Sequence, residues 1–390
     1  MSTRKALVVY GTRPEAIKMA PVVKALESST TLEPVVAVTG QHREMLDQVN
    51  ILFDIVPRHD LDIIQPRQQL HQITSRALDG LTAVIRAEEP DVVVVQGDTT
   101  TAFVAALAAF YEHVPVAHVE AGLRTDNRYN PFPEEINRRL TSQLATIHLA
   151  PTPTSRANLR REDVADQDIF VTGNTVIDAL LTVVDRELPL EDPALAPLVS
   201  TGDRHAVLIT SHRRESWGEP MACTARAVAR LAHRFPDVMF TLPAHLNPAV
   251  RDVLLPPLRG LANVVITEPL GYSDFARAMH ASTIMLTDSG GVQEEAPSLG
   301  KPVLVLRETT ERPEAVDAGT VRLVGTDEDL IVESVTELLT DETAYKEMAH
   351  AVNPYGDGRA AERIASAIAH HFGEAARPDE FVPNGVSARR

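Results

Sequence analysis

The chain reads as an α/β protein built from two doubly wound domains, each a parallel sheet flanked by helices. Three observations predict this: short apolar runs rich in Val and Ile, amphipathic stretches between them, and repetition of that alternation in two successive series. The first series holds ALVVY (6–10), PVVAVTG (34–40), DVVVVQG (91–97), VPVAHVE (114–120), IHLAP (147–151) and DIFVTG (168–173). Runs this short, apolar on nearly every position, are strands buried on both faces, and helices are the elements that cover them. The stretch 187–203, ELPLEDPALAPLVSTGD, is acidic, Pro-rich and weakly periodic, and reads as a linker. The second series follows with AVLITS (206–211), VMFTLPA (238–244), VVITEPL (264–270), TIMLTD (283–288), KPVLVL (301–306) and TVRLVG (320–325). The expected division is an N-terminal domain over 1–173 and a C-terminal domain over 174–358. A helical pattern at about 359–372 follows NPYGDG and crosses back onto the first domain. The tail 373–390, with prolines, glycines and charge, is expected to be disordered.

Composition narrows the function classes. At 390 residues and 44% hydrophobic content the chain is large enough for two well-filled cores. No apolar stretch is long enough to span a bilayer, and MSTRKALVVY reads as a first buried strand and not as a signal peptide, so a cytoplasmic location is expected. The single cysteine, Cys223, excludes an internal disulfide and a cysteine-based metal site, and its Ala-rich helical surroundings suggest a buried apolar role. A formal net charge of −17 argues against nucleic acid or an anionic membrane as partner. A small anion stays open as a ligand, because screening over about 8 Å lets a few local arginines outweigh distant carboxylates.

The most informative segment is LTDSGGVQEEAPSLGKP (286–302). Its strand ends at Asp288-Ser289, Ser289 is placed to cap the next helix, and Gly290 and Gly291 let backbone N–H groups approach an anion without a Cβ in the way. A helix start of this kind attracts an anion by about 0.3–1 kcal/mol, besides offering directed hydrogen bonds. Glu294 and Glu295 are expected in or near the first turn, where one accepts the hydroxyls of a ribose. A bare Gly-Gly is usually just a tight turn, but the Ser before it, the Glu pair after it and Gly300-Lys301-Pro302 opening the next strand favour the anion site.

Because ligands of doubly wound sheets bind beyond the carboxyl ends of the strands, residues just after the other runs are the next candidates. After ALVVY comes Gly11-Thr12-Arg13-Pro14-Glu15, with Pro14 suited to a helix start and Arg13 and Lys18 placed to flank a diphosphate. After DVVVVQG comes Asp98, whose alternative role is a helix N-cap. Glu120 ends VPVAHVE, and PFPEEINRR supplies Glu134, Glu135, Arg138 and Arg139, one glutamate capping a helix while another faces a cleft. In the second series AVLITS leads to His212 with Arg213 and Arg214, His245 and Asn247 follow VMFTLPA, and Arg312 follows KPVLVLRE. His71, His233 and His370 carry no such context and read as surface or core residues.

Taken together, GTRPEAIKMAP, QGDTT, HVEAGLRT, PFPEEINRR, TGN, SHRRE, TDSGGVQEEAPSLGKPVL, TERPEA and NPYGDG resemble the non-hydrolysing UDP-N-acetylglucosamine 2-epimerase family over nearly the whole chain to about residue 370. The resemblance implies a glycosyltransferase-B type fold, two Rossmann-like domains facing a cleft, a homodimer, and interconversion of UDP-N-acetylglucosamine and UDP-N-acetylmannosamine without a cofactor. It places UDP contacts on Arg13, Lys18, His212, Phe275, Ser289, Gly290, Gly291, Glu295 and Arg312. Acid/base candidates fall on Asp98, Glu120 and Glu134, with His212 near the diphosphate. Some bacterial members bind a second UDP-N-acetylglucosamine as activator, and Gln41, His42, Gln48, Arg67, Glu135 and His245 resemble that site in part.

Chemistry agrees with that assignment. The C2 hydrogen of an N-acetylhexosamine is not adjacent to a carbonyl, so a carboxylate cannot remove it unaided. A nicotinamide route would want a GxGxxG fingerprint after a strand, and GTRPEA does not substitute for one. The alternative breaks the C1–O bond to UDP, acidifies C2 and gives a glycal. No step needs a metal, and the chain has no HExxH-type spacing. An acid and a base on opposite faces of one carbon require two groups from different loops, and the sequence leaves open which of the three carboxylates takes which part. A glycosyltransferase, an epimerase that releases the free sugar, and a silent UDP-sugar sensor are the competing readings.

Overall fold

Every apolar run of both series becomes a strand, because Val and Ile fit a pleated surface covered on both sides. The structure is a computed structural model that describes residues 3–40, 43–65, 68–199 and 205–383, without the side chains of residues 43 and 44. It divides into two compact units: Met1–Ala179 with Tyr355–Val382, and Leu180–Pro354 with Pro383–Arg390.

In chain order the first unit runs β1 (Arg4–Tyr10), α1 (Arg13–Glu27), β2 (Leu32–Val38), α2 (Arg43–Leu52), β3 (His59–Asp60), α3 (Leu70–Glu88), β4 (Val92–Gln96), α4 (Thr100–Tyr111), β5 (Val116–Val119), α5 (Glu134–Leu144), β6 (Ile147–Ala150), α6 (Pro153–Arg161), β7 (Ile169–Val171) and the start of α7 (Thr175–Asp185), whose residues from Leu180 belong to the second unit. The strands lie in the order β3-β2-β1-β4-β5-β6-β7, and each neighbouring pair is parallel. The order reverses between β1 and β4, so the turns after these two strands flank the switch point where doubly wound sheets bind ligands. The two-residue β3 lies outside the sequence reading.

The second unit runs α8 (Ala196–Val199), β8 (Ala206–Thr210), α9 (Glu219–Arg234), β9 (Met239–Pro243), α10 (Pro248–Leu254), β10 (Val264–Thr267), α11 (Tyr272–Ala281), β11 (Ile284–Thr287), α12 (Gly290–Glu295), β12 (Val303–Val305), α13 (Pro313–Asp317), β13 (Val321–Leu323), α14 (Glu328–Thr340) and α15 (Glu342–Ala349). Its sheet has the order β10-β9-β8-β11-β12-β13, with a switch point between β8 and β11. One core cluster runs from Val207 and Phe240 to Leu304 and Val335, and Leu208, Met285 and Val303 are fully buried besides. Most of the expected linker packs on this unit. Leu195 and Leu198 are fully buried, and the Asp274 carboxylate accepts the N–H groups of Glu191 and Asp192 at 3.1 and 2.7 Å.

The chain then returns to the first unit as α16 (Ala360–His371). Its N-terminus has no cap of its own, and Asp178 of α7 supplies one by accepting Ala361 N–H at 2.8 Å. Burial pushes the Asp178 carboxyl up to about 6, with the backbone N–H groups of Ala361 and Ala360 opposing the rise. The segment after Gly373, expected to be disordered, is ordered as far as it is described. Phe381 is buried and its N–H donates to Val171 O at 2.8 Å, and the Arg377 guanidinium lies 4.1 Å over the Phe170 ring. Residues 384–390 lie outside the described residues. Cys223, expected in an apolar core, is only half-buried on α9, 3.7 Å from a Glu219 carboxylate oxygen.

Candidate active site

On the first unit, the turn after β1 is set by what it must fit against. A Cβ on Gly11 would run into Thr39 Oγ1 and stand 2.6 Å from Thr101 Oγ1, so only glycine lets this turn approach the start of α4. Thr12 caps α1 in a capping box with Glu15, which makes Arg13 the first helical residue, half-buried at the sheet's carboxyl edge. Lys18, one turn further, puts its ammonium 2.7 Å from both carboxylate oxygens of Glu120. The lysine expected to flank a diphosphate is therefore engaged by one of the candidate acid/base groups.

Glu120 sits at φ 63°, a left-handed conformation that turns the chain sharply after β5. The residue is 8% exposed, and its carboxylate also receives the side-chain amides of Gln96 and, at 3.4 Å, Asn174. Asp98 follows Gly97 after β4, and it is not the helix cap. Thr99 takes that position, accepting Ala102 N–H at 3.1 Å, which leaves the Asp98 carboxylate to pair with Arg138 while its carbonyl accepts Asn137 Nδ2 at 3.0 Å. Glu134 heads α5 and is half-buried. Glu135 is fully buried, and its oxygens accept Arg139 Nε at 2.8 Å, Thr125 N–H at 3.1 Å and Arg138 Nη1 at 3.4 Å. Beneath these loops His118 is buried in β5 with Nε2 2.7 Å from Gly97 O; burial pushes its imidazole down to about 3, so it is neutral and Nε2–H is the donor. His118 thereby holds the turn that presents Asp98.

On the second unit, a cavity of about 210 Å³ opens beyond the carboxyl ends of β8, β9, β10 and β11. Its lining includes His212, His245, Phe275, Ser289 and Glu295, so five of the candidate residues meet in one place. Ser289 holds the N-cap position of α12 in extended conformation, but its hydroxyl makes no cap bond and lines the cavity. Glu294 and Glu295 are the fifth and sixth helical residues, later than the first turn. Their roles separate: Arg312 Nε holds Glu294 at 2.7 Å, while Glu295 lines the cavity with Tyr272 Oη 3.3 Å away. A Cβ on Gly290 would stand 3.4 Å from Arg312 Cζ and 3.7 Å from Arg213 Nη2, so two guanidinium groups border the opening of α12. Sequence reasoning does not single out Arg213 as a ligand, although SHRRE contains it.

Asp288 organises this edge. Fully buried, it accepts the N–H groups of His212 at 2.6 Å and Arg213 at 2.8 Å, and His212 Nδ1 lies 3.2 Å from its other oxygen. Burial pushes the Asp288 carboxyl up, but the His212 side chain and the two N–H groups outweigh it and hold the group below its ordinary value. The His212 ring stacks on His245 with centroids 5.8 Å apart. Of the residues resembling an activator site, Gln48 lies on α2, Glu135 on α5 and His245 after β9, whereas Gln41, His42 and Arg67 lie outside the described residues.

A sequence profile described as UDP-N-acetylglucosamine 2-epimerase matches residues 24–369. The chain belongs to the UDP-N-acetylglucosamine 2-epimerase family, a family of isomerases. The epimerase of Escherichia coli K12 is 55% identical over 369 residues, covering 93% of this chain and 98% of its own. A solved structure of the putative epimerase from Listeria monocytogenes superimposes with a TM-score of 0.92 at 48% identity, covering 98% of this chain and all of the other. The Neisseria meningitidis epimerase, solved bound to UDP-GlcNAc, has a TM-score of 0.83 at 48% identity over 94% of this chain and all of its own. The fold alone extends to the glycosyltransferase SnogD of Streptomyces nogalater, at a TM-score of 0.62, 16% identity, and 95% and 99% coverage, which fits the glycosyltransferase-B type. Among the described residues, no helix is long and apolar enough to cross a membrane.

Proposed function

We propose that the chain interconverts UDP-N-acetylglucosamine and UDP-N-acetylmannosamine by eliminating UDP to a glycal and adding it back. The observation that carries this reading is the cavity of the second unit, lined by His212, Phe275, Ser289 and Glu295, with the Arg213 and Arg312 guanidinium groups beside Gly290 at the opening of α12. In the forward step the C1–O bond breaks with its electrons passing to the β-phosphate oxygen, a base takes the C2 proton, and C1=C2 forms. In the return step a proton reaches the opposite face of C2 and the phosphate oxygen rebonds to C1.

Cations and N–H groups aimed at the departing diphosphate stabilise charge where it develops, and fixed groups of this kind supply much of the acceleration in many enzymes. Glu295 is the ribose ligand in this scheme, since Glu294 is held by Arg312. Asp98, Glu120 and Glu134 of the first unit act on the sugar, and their pairing with Arg138 and Lys18 gives Asp98 and Glu120 defined orientations. The Neisseria relative bound to UDP-GlcNAc supports the substrate class. The working form is proposed to be a homodimer in the cytoplasm; sedimentation of the purified protein tests the dimer.

Incubation in deuterium oxide with UDP-N-acetylglucosamine alone, followed by proton NMR, is the deciding experiment. Expected are deuterium at C2 of both epimers, positional scrambling of an oxygen label in the anomeric phosphate bridge, and no accumulation of free sugar. Inversion without scrambling refutes elimination, and net release of N-acetylmannosamine would assign a hydrolytic enzyme. Changing Asp98 to Asn, or Glu120 or Glu134 to Gln, is expected to slow turnover by about 10²-fold or more.

A further inference from the structure

We infer that Glu15 is a positioning residue that locks the turn carrying Arg13 to the turn carrying Asp98, so that both reach substrate in one fixed spacing. This rests on the role proposed above for Asp98 and on the UDP contact that the family resemblance places on Arg13.

A capping box needs only one glutamate oxygen. Glu15 Oε2 serves it, accepting the N–H groups of Thr12 at 2.8 Å and Gly11 at 3.1 Å and the Thr12 hydroxyl at 2.8 Å. Its second oxygen is spent elsewhere: Oε1 accepts the hydroxyl of Thr99 at 2.6 Å, 84 residues along the chain. Thr99 follows Asp98 directly and caps α4. Its oxygen accepts Ala102 N–H with one lone pair, and its one hydroxyl proton is donated to Glu15 Oε1. An amide at position 15 cannot keep both sides as built, because turning its oxygen to the three donors of the β1–α1 turn puts an NH2 group where Oε1 accepted, and the Thr99 hydroxyl proton loses its acceptor.

The location supports a role beyond capping. Glu15 is 1% exposed, and a buried carboxylate is costly unless its hydrogen bonds are complete. A second strap lies alongside, where Thr39 Oγ1 and Thr101 Oγ1 meet at 2.9 Å over Gly11. The Glu15 strap joins the turns after β1 and β4, the strands on either side of the switch point, and the threonine strap joins the end of β2 to the start of α4. A displacement of one turn relative to the other by about 1 Å is enough to cost on the order of 10²-fold in rate.

The test compares Glu15→Gln, Thr99→Ala, Thr99→Ser, the Glu15→Gln/Thr99→Ala double variant and Asp98→Asn by steady-state kinetics across pH, with thermal melts to establish folding at the assay temperature. Expected are falls in kcat of about 10- to 100-fold for Glu15→Gln and Thr99→Ala, with smaller changes in KM. Thr99→Ser keeps the hydroxyl and restores turnover, the double variant is no slower than the slower single one, and the limbs of the pH profile stay in place. The inference is overturned if folded Thr99→Ala or Glu15→Gln turns over at the wild-type rate, if their effects multiply, or if Glu15→Gln removes a limb, which would make Glu15 a proton-transfer group. Should Glu15→Gln not fold, Thr99→Ala tests the same link from its other end. Wild-type turnover by Asp98→Asn instead overturns the functional reading, and the role given to Glu15 with it.

Discussion

Lys18→Met separates two roles for one ammonium group. In the structure Lys18 lies 2.7 Å from both oxygens of Glu120, with side chains 19% and 6% exposed. Removing one partner of a buried pair typically costs about 3–5 kcal/mol, because the other charge is left uncompensated. Gln96 and Asn174 still donate to Glu120, which places the expected loss at the lower end, about 3 kcal/mol. For a unit of roughly 200 residues each kcal/mol shifts the midpoint by about 2–4 °C, so the melt should fall by about 6–12 °C. Adding Glu120→Gln to Lys18→Met removes the stranded charge and should recover most of that loss, although not activity. Calorimetry of the two single variants and the double variant completes the cycle. If Lys18→Met melts at the wild-type temperature while its KM rises steeply, the lysine serves the diphosphate and the reasoning from the ion pair fails.

Other expectations follow from the same geometry. Gly11→Ala forces a methyl against the Thr39 and Thr101 hydroxyls and should destabilise by about 1–3 kcal/mol in chemical denaturation, with partial rescue by Thr39→Ala. Asp178 has a folded value of about 6, above its unfolded one, so its contribution is complete below about pH 4 and is lost as pH rises towards 6. Melts of Asp178→Asn should lack this fall, worth up to about 3 kcal/mol, and identical pH dependence in both proteins would contradict it. Asp288 has the opposite sign: depressed in the fold, it contributes stability above the ordinary carboxylate range, lost as pH falls through its folded value. Asp288→Asn should loosen the His212–Arg213 turn and weaken UDP binding by about tenfold, or about 1.4 kcal/mol, in calorimetric titration.

The sheets are legible in the sequence because burial on both faces imposes unbroken Val and Ile runs, as in VVVV at 92–95 and IMLT at 284–287. β3 is not, since two residues, His59 and Asp60, leave no pattern. Strand ends and the family resemblance together point to His212, Phe275, Ser289 and Glu295 without geometry, and the cavity collects them. What escapes such reasoning are pairings that only folding creates. Nothing in the spacing ties Lys18 to Glu120, and Asp98 resembles a cap because its neighbour Thr99, which does the capping, is chemically just as suited. The segment 374–382 misleads for a related reason: its composition suits disorder, but Phe381 and Arg377 find partners on β7 and beside it that no local window reveals.

The return of residues 355–382 to the first unit makes the second an insertion within it. On a ribosome, residues 180–354 emerge as one uninterrupted piece and can collapse while the first body still lacks α16 and its final strap along β7. Completion of the earlier-made body thus waits for residues 355–382. A stop codon that removes only the residues from α16 onward should therefore injure the half encoded first and spare the half encoded second.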